Sequence, residues 1–185
     1  MNFSKQDLDR LASETNFIRD NLEKALRLCR ILEYFGENPL LLKSLALKGG
    51  TAINLMVFDL PRLSVDIDFD FAIPCNREEM LAMRGEINRE VITYMSTQGY
   101  TLGQEAKNPH SLDSWIFYYR NVVNNKDNIK VEVNYSLRNH IFPLVMRNSS
   151  VNFLPNVKIQ ILSLVELFGS KIKALIERSA PTRSL

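Results

Sequence analysis

Lys48-Gly49-Gly50-Thr51, an apolar segment, and then Arg62-Leu63-Ser64-Val65-Asp66-Ile67-Asp68-Phe69-Asp70-Phe71 form the stretch that decides how this chain folds. From 65 to 73 the apolar residues alternate as Val65, Ile67, Phe69, Phe71 and Ile73. Period two predicts a half-buried strand. The other face carries Asp66, Asp68 and Asp70, and like charges two residues apart on one face repel. A divalent cation relieves that repulsion. Carboxylate oxygens suit Mg²⁺ or Mn²⁺ held jointly with substrate phosphates. A plain solvated face is also compatible with Asp-x-Asp on a strand, so the pattern draws its weight from what precedes it.

Upstream, Leu45-Ala46-Leu47 reads as a short strand ending on Gly49-Gly50. Residues 51–58 read as a helix with apolar Ala52, Ile53, Leu55, Met56 and Phe58. Glycine permits positive φ and close backbone approach. A helix N-terminus offers free N–H groups and partial positive charge to phosphate, and Thr51 adds a hydroxyl. The same turn also serves as an ordinary strand-to-helix connection. It is neither a P-loop nor a Gly-x-Gly-x-x-Gly dinucleotide turn, because both spacings are absent.

Outward from this core the chain reads as an α/β order. Ser4-x-x-Asp7 can open a short helix. Ile18, Leu22, Ala25, Leu26, Cys29, Leu32 and Phe35 mark one face of a longer helix that stops near Gly36 and Pro39. A helix is predicted over 77–97, with Leu81, Ile87, Val91, Tyr94 and Met95 inward and Gly99 at its end. Strands are predicted at 100–104, 114–122 and 128–137, with an Asn- and Asp-rich hairpin turn over 122–128. A strand at 157–161 leads into a last helix signalled by the capping-box pair Ser163 and Glu166. On that helix Leu164, Phe168, Leu175 and Ile176 form an apolar stripe bordered by Lys171.

In 129–135 the apolar residues alternate with Lys130, Glu132 and Asn134. If Val131 and Val133 face the core, Glu132 faces the same side as the aspartates. From pattern alone it is equally a surface Glu paired across the sheet with a Lys.

Composition sets bounds. The 185 residues, 45% hydrophobic and 24% charged, are ordinary globular usage. A chain of this size buries roughly two-thirds of its unfolded surface. No apolar run approaches the roughly 20 residues of a membrane span, and the amino terminus lacks a signal-peptide core. Cys29 and Cys75 have no metal-ligand spacing, so reduced thiols and a cytoplasmic location are expected. A net charge of +2 does not by itself announce nucleic-acid binding.

Lys-Gly-Gly-Thr, an apolar helix and Arg-x-Ser-x-Asp-x-Asp resemble the AbiEii/AbiGii toxin family of nucleotidyltransferases, within the DNA polymerase β-like superfamily. Residues 16–24 are similar to that family's amino-terminal helix, 128–134 to its later strand, and 161–171 with Ala174, Leu175 and Arg178 to its late helix. The resemblance spans nearly the whole chain. It implies an α/β (α+β) polymerase-β-like core, a mixed sheet flanked by helices, as a single nucleotidyltransferase domain over 1–185.

The resemblance also implies roles. Asp66, Asp68 and Glu132 would hold Mg²⁺ or Mn²⁺, as two ions about 4 Å apart. Lys48, Gly49, Gly50, Thr51, Arg62 and Ser64 would lie about the nucleotide, and Lys171 would meet its phosphates. The family motif needs only the first two aspartates, so Asp70 is expected to be peripheral or solvated. The implied reaction moves a nucleoside monophosphate from a nucleoside triphosphate to an acceptor hydroxyl, with tRNA or other RNA preferred. The implied setting is the toxin half of a type IV toxin–antitoxin or abortive-infection system, with a cognate antitoxin. Family members usually continue into an Arg-Asp-x-x-Asp-like segment and a helical region after the late helix, and this pattern is missing here. A short form with an incomplete pocket is the corresponding expectation.

Other readings compete. One is a catalytically decayed domain that binds protein or nucleic acid. Another is a transferase acting on a protein or a small molecule such as an aminoglycoside. A glycosyltransferase also uses Asp-x-Asp, but would not call for the Gly-Gly-Thr turn.

Overall fold

The protein is described from a computed structural model that covers residues 4–58, 66–104, 111–136, 138–149, 151 and 153–179. Among the described residues, six helices and seven strands follow one another as α1 (Lys5–Thr15), α2 (Arg19–Glu37), α3 (Pro39–Ser44), β1 (Leu45–Lys48), α4 (Gly49–Met56), β2 (Asp66–Phe71), α5 (Arg77–Thr97), β3 (Thr101–Leu102), β4 (Leu112–Arg120), β5 (Lys126–Asn134), β6 (Val145–Asn148), β7 (Lys158–Ile161) and α6 (Leu164–Ser179). The strands form one mixed sheet in the order β3-β4-β5-β2-β1-β7-β6. The expected mixed α/β sheet is therefore present, with β2 at its centre.

Strand β2 pairs antiparallel with β1 and parallel with β5. Its apolar face is buried: Ile67, Phe69 and Phe71 are each at most 1% exposed. The Phe69 ring stacks on Phe35 of α2 with centroids 5.1 Å apart, a geometry that adds to simple area burial. Leu22, Ala25, Leu26, Cys29, Leu32 and Phe35 all enter the core, as the period of α2 predicts. Ile18 does not: it sits outside the helix as the N-cap and is 70% exposed.

Local signals explain most boundaries. The Ser4 side chain accepts a hydrogen bond from the Asp7 amide at the start of α1. Asn76 and Glu79 form a reciprocal capping box at α5, and Gly99, at φ 83°, lies just past its end. Helix α5 turns Met80, Ile87, Val91 and Met95 inward, while Leu81 is 40% exposed. Leu81 lies one position out of phase with that stripe.

Two short elements, α3 and β6, have no counterpart in the expected order. Asn38 ends α2 and immediately caps α3 by accepting from the Leu40 and Leu41 amides. The strand expected over 100–104 shrinks to two residues. The hairpin turn narrows to 121–125, with Asn124 at φ 66°. On α6, Leu167 is buried, whereas Leu175 and Ile176 are each 65% exposed. The stripe expected there is therefore covered only in its amino half, at Leu164 and Phe168, and no described residue covers Leu175 and Ile176. Among the described residues, no helix is long and apolar enough to cross a membrane.

Candidate active site

Sheet register assembles the site. Lys48 is the Cα partner of Asp68 across the β1–β2 pair, and Asp68 is the partner of Glu132 across the β2–β5 pair. Directly opposed residues share a face. Lys48, Asp68 and Glu132 therefore project from three adjacent strands to one side, with the Asp66–Lys130 rung on one flank and Asp70 on the other.

The glycine turn closes against this face. Gly49 adopts φ 72°, a conformation that disfavours any residue with a Cβ. A Cβ added there would overlap Asp68 Oδ2 and lie 3.2 Å from its Cγ. Glycine is thus required twice, by backbone conformation and by contact with Asp68. Gly50 follows in the first turn of α4, where amides lack intrahelical partners. Thr51 is fully buried, and its hydroxyl donates to the Asp66 carbonyl. The hydroxyl expected to meet phosphate thus ties α4 to β2 in this structure.

The three carboxylates occupy different environments. Asp66 is exposed, and Asp68 and Glu132 are half-buried. Burial pushes the Asp68 carboxyl above the usual range, and the neighbouring charges of Glu132 and Asp66 push it further. Glu132 is also partly buried, but hydrogen bonds from Lys130 and Ser114 bring it below the usual range. The Lys130 ammonium is 2.9 Å from Glu132 Oε1. Glu132 thus stands opposite Asp68, and its Lys partner lies two residues away on its own strand rather than across the sheet. Ser114, its Cα partner on β4, and Lys130 join the cluster without having been singled out beforehand. Lys130 was visible in the alternation of β5, but Ser114 needed the long-range register of β4.

Asp70 corrects an expectation. It is 3% exposed rather than solvated, and its Oδ1 lies 2.5 Å from Lys48 Nζ. The inner end of β2 is covered, so a carboxylate there needs a counter-charge. Lys171 is exposed on α6, one turn beyond Phe168, whose ring meets Phe58 after α4 at 6.0 Å. No hydrogen bond or ion pair of Lys171 is found among the described residues. Arg62 and Ser64 lie outside the described residues.

This donor set suits a hard divalent cation in kind, with carboxylate oxygens converging from two strands. Among the described residues no three His, Cys, Asp or Glu side chains are gathered so as to hold a metal ion by themselves. An open set is appropriate for Mg²⁺, which keeps several waters and takes substrate phosphates as ligands.

No curated protein matches the chain. Among solved structures, MenT4, a nucleotidyltransferase toxin from Mycobacterium tuberculosis H37Rv, superposes with a TM-score of 0.65 at 16% identity. That alignment covers 94% of this chain and 59% of MenT4. JHP933 from Helicobacter pylori gives a TM-score of 0.50 at 19% identity over 81% of this chain and 56% of its own. The chain thus spans somewhat over half the length of either structure. At these identities the likeness establishes the fold. The family model described as nucleotidyl transferase AbiEii toxin, type IV TA system, matches residues 30–184. With that match running from mid-α2 through the glycine turn and the acidic strand to the chain's last residues, the chain belongs to the AbiEii nucleotidyltransferase toxin family.

Proposed function

We propose that this chain is a divalent-metal-dependent nucleotidyltransferase that moves a nucleoside monophosphate from a triphosphate to an acceptor hydroxyl. One observation carries the reading: Asp68 stands between the Gly49 bend and Glu132, in contact range of the first and directly opposite the second. A triphosphate laid on the Gly49-Gly50 turn would place its phosphates beside the carboxylates. Asp66, Asp68 and Glu132 would hold Mg²⁺ or Mn²⁺, which when bound neutralises phosphate charge and favours deprotonation of the acceptor hydroxyl. The acceptor oxygen would then attack the α-phosphorus, its bond to the bridging oxygen would break, and pyrophosphate would leave. The remaining contribution of the protein is positioning. Thr51 keeps α4 docked on β2, Lys130 and Ser114 hold Glu132 in its ionised form, and Lys171 supplies an exposed cation from α6 for phosphate.

RNA, and tRNA in particular, is the preferred acceptor. The setting is the toxin component of a type IV toxin–antitoxin pair with a cognate antitoxin in the cytoplasm. Family membership supports this reading, as does the description of MenT4 as a nucleotidyltransferase toxin. The test incubates the protein with Mg²⁺, each labelled nucleoside triphosphate and total tRNA. Label should pass to RNA and the transfer should be lost in Asp66→Ala. Absence of both transfer and metal-dependent nucleotide binding would assign the chain instead to a non-catalytic binding module. Label on protein or a small molecule would change the acceptor alone.

A further inference from the structure

Side-chain exposure falls steadily along the acidic face of β2. Asp66 is exposed, Asp68 is half-buried, and Asp70 is 3% exposed. Lys48 stands opposite Asp68 in the register but reaches along the strand to Asp70, at 2.5 Å. His140 and Glu166 lie in the electrostatic surroundings of Asp70. The His140 side chain is 9% exposed, with Nδ1 3.8 Å from Glu166 Oε1 and Nε2 buried without a partner among the described residues. Glu166 is itself fixed: its Oε1 accepts from the Ile141 amide at 2.9 Å, and its Oε2 accepts from the Ser163 hydroxyl at 3.3 Å. The segment after β5 and the start of α6 are thus tied together near the inner end of the acidic strand.

Among the described residues, the Lys48–Asp70 pair differs from the other ion pairs with a buried carboxylate. In Arg27–Glu23 and Arg84–Asp113 the cation side chains are 10% and 12% exposed, but Lys48 is 27% exposed over a similarly buried acid. An ammonium has three donors, and its bond to Asp70 leaves two for other acceptors. Lys48 is also the residue immediately before the Gly49-Gly50 turn. A cation anchored from below, open above and fixed at the rim of an anion-accepting turn has the form of a phosphate contact.

We propose that Asp70 is a positioning residue: it is not a metal ligand, and it holds the Lys48 ammonium toward the nucleotide phosphates. This rests on the transferase reading above. The experiment uses the full chain as wild type, Lys48→Met, Asp70→Asn and the double variant. Mn²⁺ binding is read by electron paramagnetic resonance, and nucleoside triphosphate binding in Mn²⁺ by calorimetry. Lys48→Met should weaken nucleotide binding about tenfold or more, the scale of a charge-assisted hydrogen bond. Asp70→Asn should weaken it about three- to tenfold, and the double variant should be no weaker than Lys48→Met alone. Mn²⁺ affinity without nucleotide should not fall by more than about twofold in any of them, and it should hold or rise in Lys48→Met, which removes a cation opposite Asp68; this separates positioning from loss of the metal site or of the fold. Asp70→Ser stands in should Asp70→Asn fail to fold. Loss of Mn²⁺ binding in the Asp70 variants would make Asp70 a ligand and overturn the proposal. Additive losses, or unchanged nucleotide affinity, would overturn it while leaving the transferase reading intact. Failure of the wild type to bind any nucleotide would remove the transferase reading and the proposal together.

Discussion

Replacing Gly49 with Ala tests whether the turn and the acidic strand are physically one site. The change has two separable costs. The first is conformational: φ is 72°, and an L-residue there costs roughly 1–2 kcal/mol. The second is steric, because the new Cβ would overlap Asp68 Oδ2, well inside the 3.0 Å at which real Cβ contacts essentially stop. Side-chain rotation alone does not clear it, since Asp68 Cγ and Cβ also lie at 3.2 and 3.3 Å. Either the carboxylate or the β2 backbone must move, at about 1–3 kcal/mol for overpacking. Gly99→Ala supplies the control: its φ is 83°, and no described atom stands within 4 Å of the methyl it would gain, so it should incur only the first cost. Urea unfolding should therefore give a loss of about 2–5 kcal/mol for Gly49→Ala against about 1–2 for Gly99→Ala. In an Asp68→Ala background, which removes Cγ and Oδ2 but keeps Cβ, the Gly49→Ala cost should fall toward the Gly99 level. Mn²⁺ affinity should drop in Gly49→Ala and stay unchanged in Gly99→Ala. Equal costs at the two glycines, or an undiminished cost without the Asp68 side chain, would refute the close packing of turn on carboxylate.

Three further outcomes follow from the same structure. Asp68→Asn should stabilise the metal-free protein by up to about 1 kcal/mol, since it removes a like charge directly opposite Glu132. The Asp68 carboxyl is held above its unfolded value, so its folded state binds the proton more tightly. Its contribution is favourable at low pH and is lost as pH rises past the ordinary carboxylate value; the stabilisation should be present at pH 8 and vanish in acid, read as thermal midpoints. Glu23→Ala should cost about 3–5 kcal/mol in urea unfolding, because Glu23 is fully buried, pairs with Arg27 at 2.7 Å and accepts the Val122 amide at 2.9 Å; a loss below about 1 kcal/mol, the scale of an exposed pair, would show that the hairpin end does not depend on it. With a thiol reagent the native protein should titrate one cysteine and the urea-unfolded protein two: Cys29 is buried with its thiol pushed up to about 12, whereas Cys75 is partly exposed. Two fast equivalents in the native state would contradict the packing of α2.

Much of the fold was legible because its signals are local. Alternation in β2 reports one buried face, and that face is buried. The periodicity of α2 and the end signals of α5 placed those helices because capping and 3.6-residue spacing act within a few residues. Leu81 and the carboxyl half of α6 misled for the opposite reason. An apolar side chain is buried only if something packs on it, and sequence spacing alone does not say what. Asp70 misled similarly: its pattern matches Asp66 and Asp68, but the elements that cover the inner end of β2 arrive from residues far away in the chain.

By itself, then, the amino-acid order determined the strand with its acidic face, the glycine bend before it and the family to which both belong. Tertiary structure alone decided that Glu132 stands opposite Asp68, that Lys130 and Ser114 hold it, and that Lys48 leans on a buried Asp70. The reason is that strand pairing is a long-range choice. Side-chain period and turn chemistry are written within a few residues, but the register of β5 on β2 joins Asp68 to Glu132, far apart in the chain, and only the folded sheet sets it.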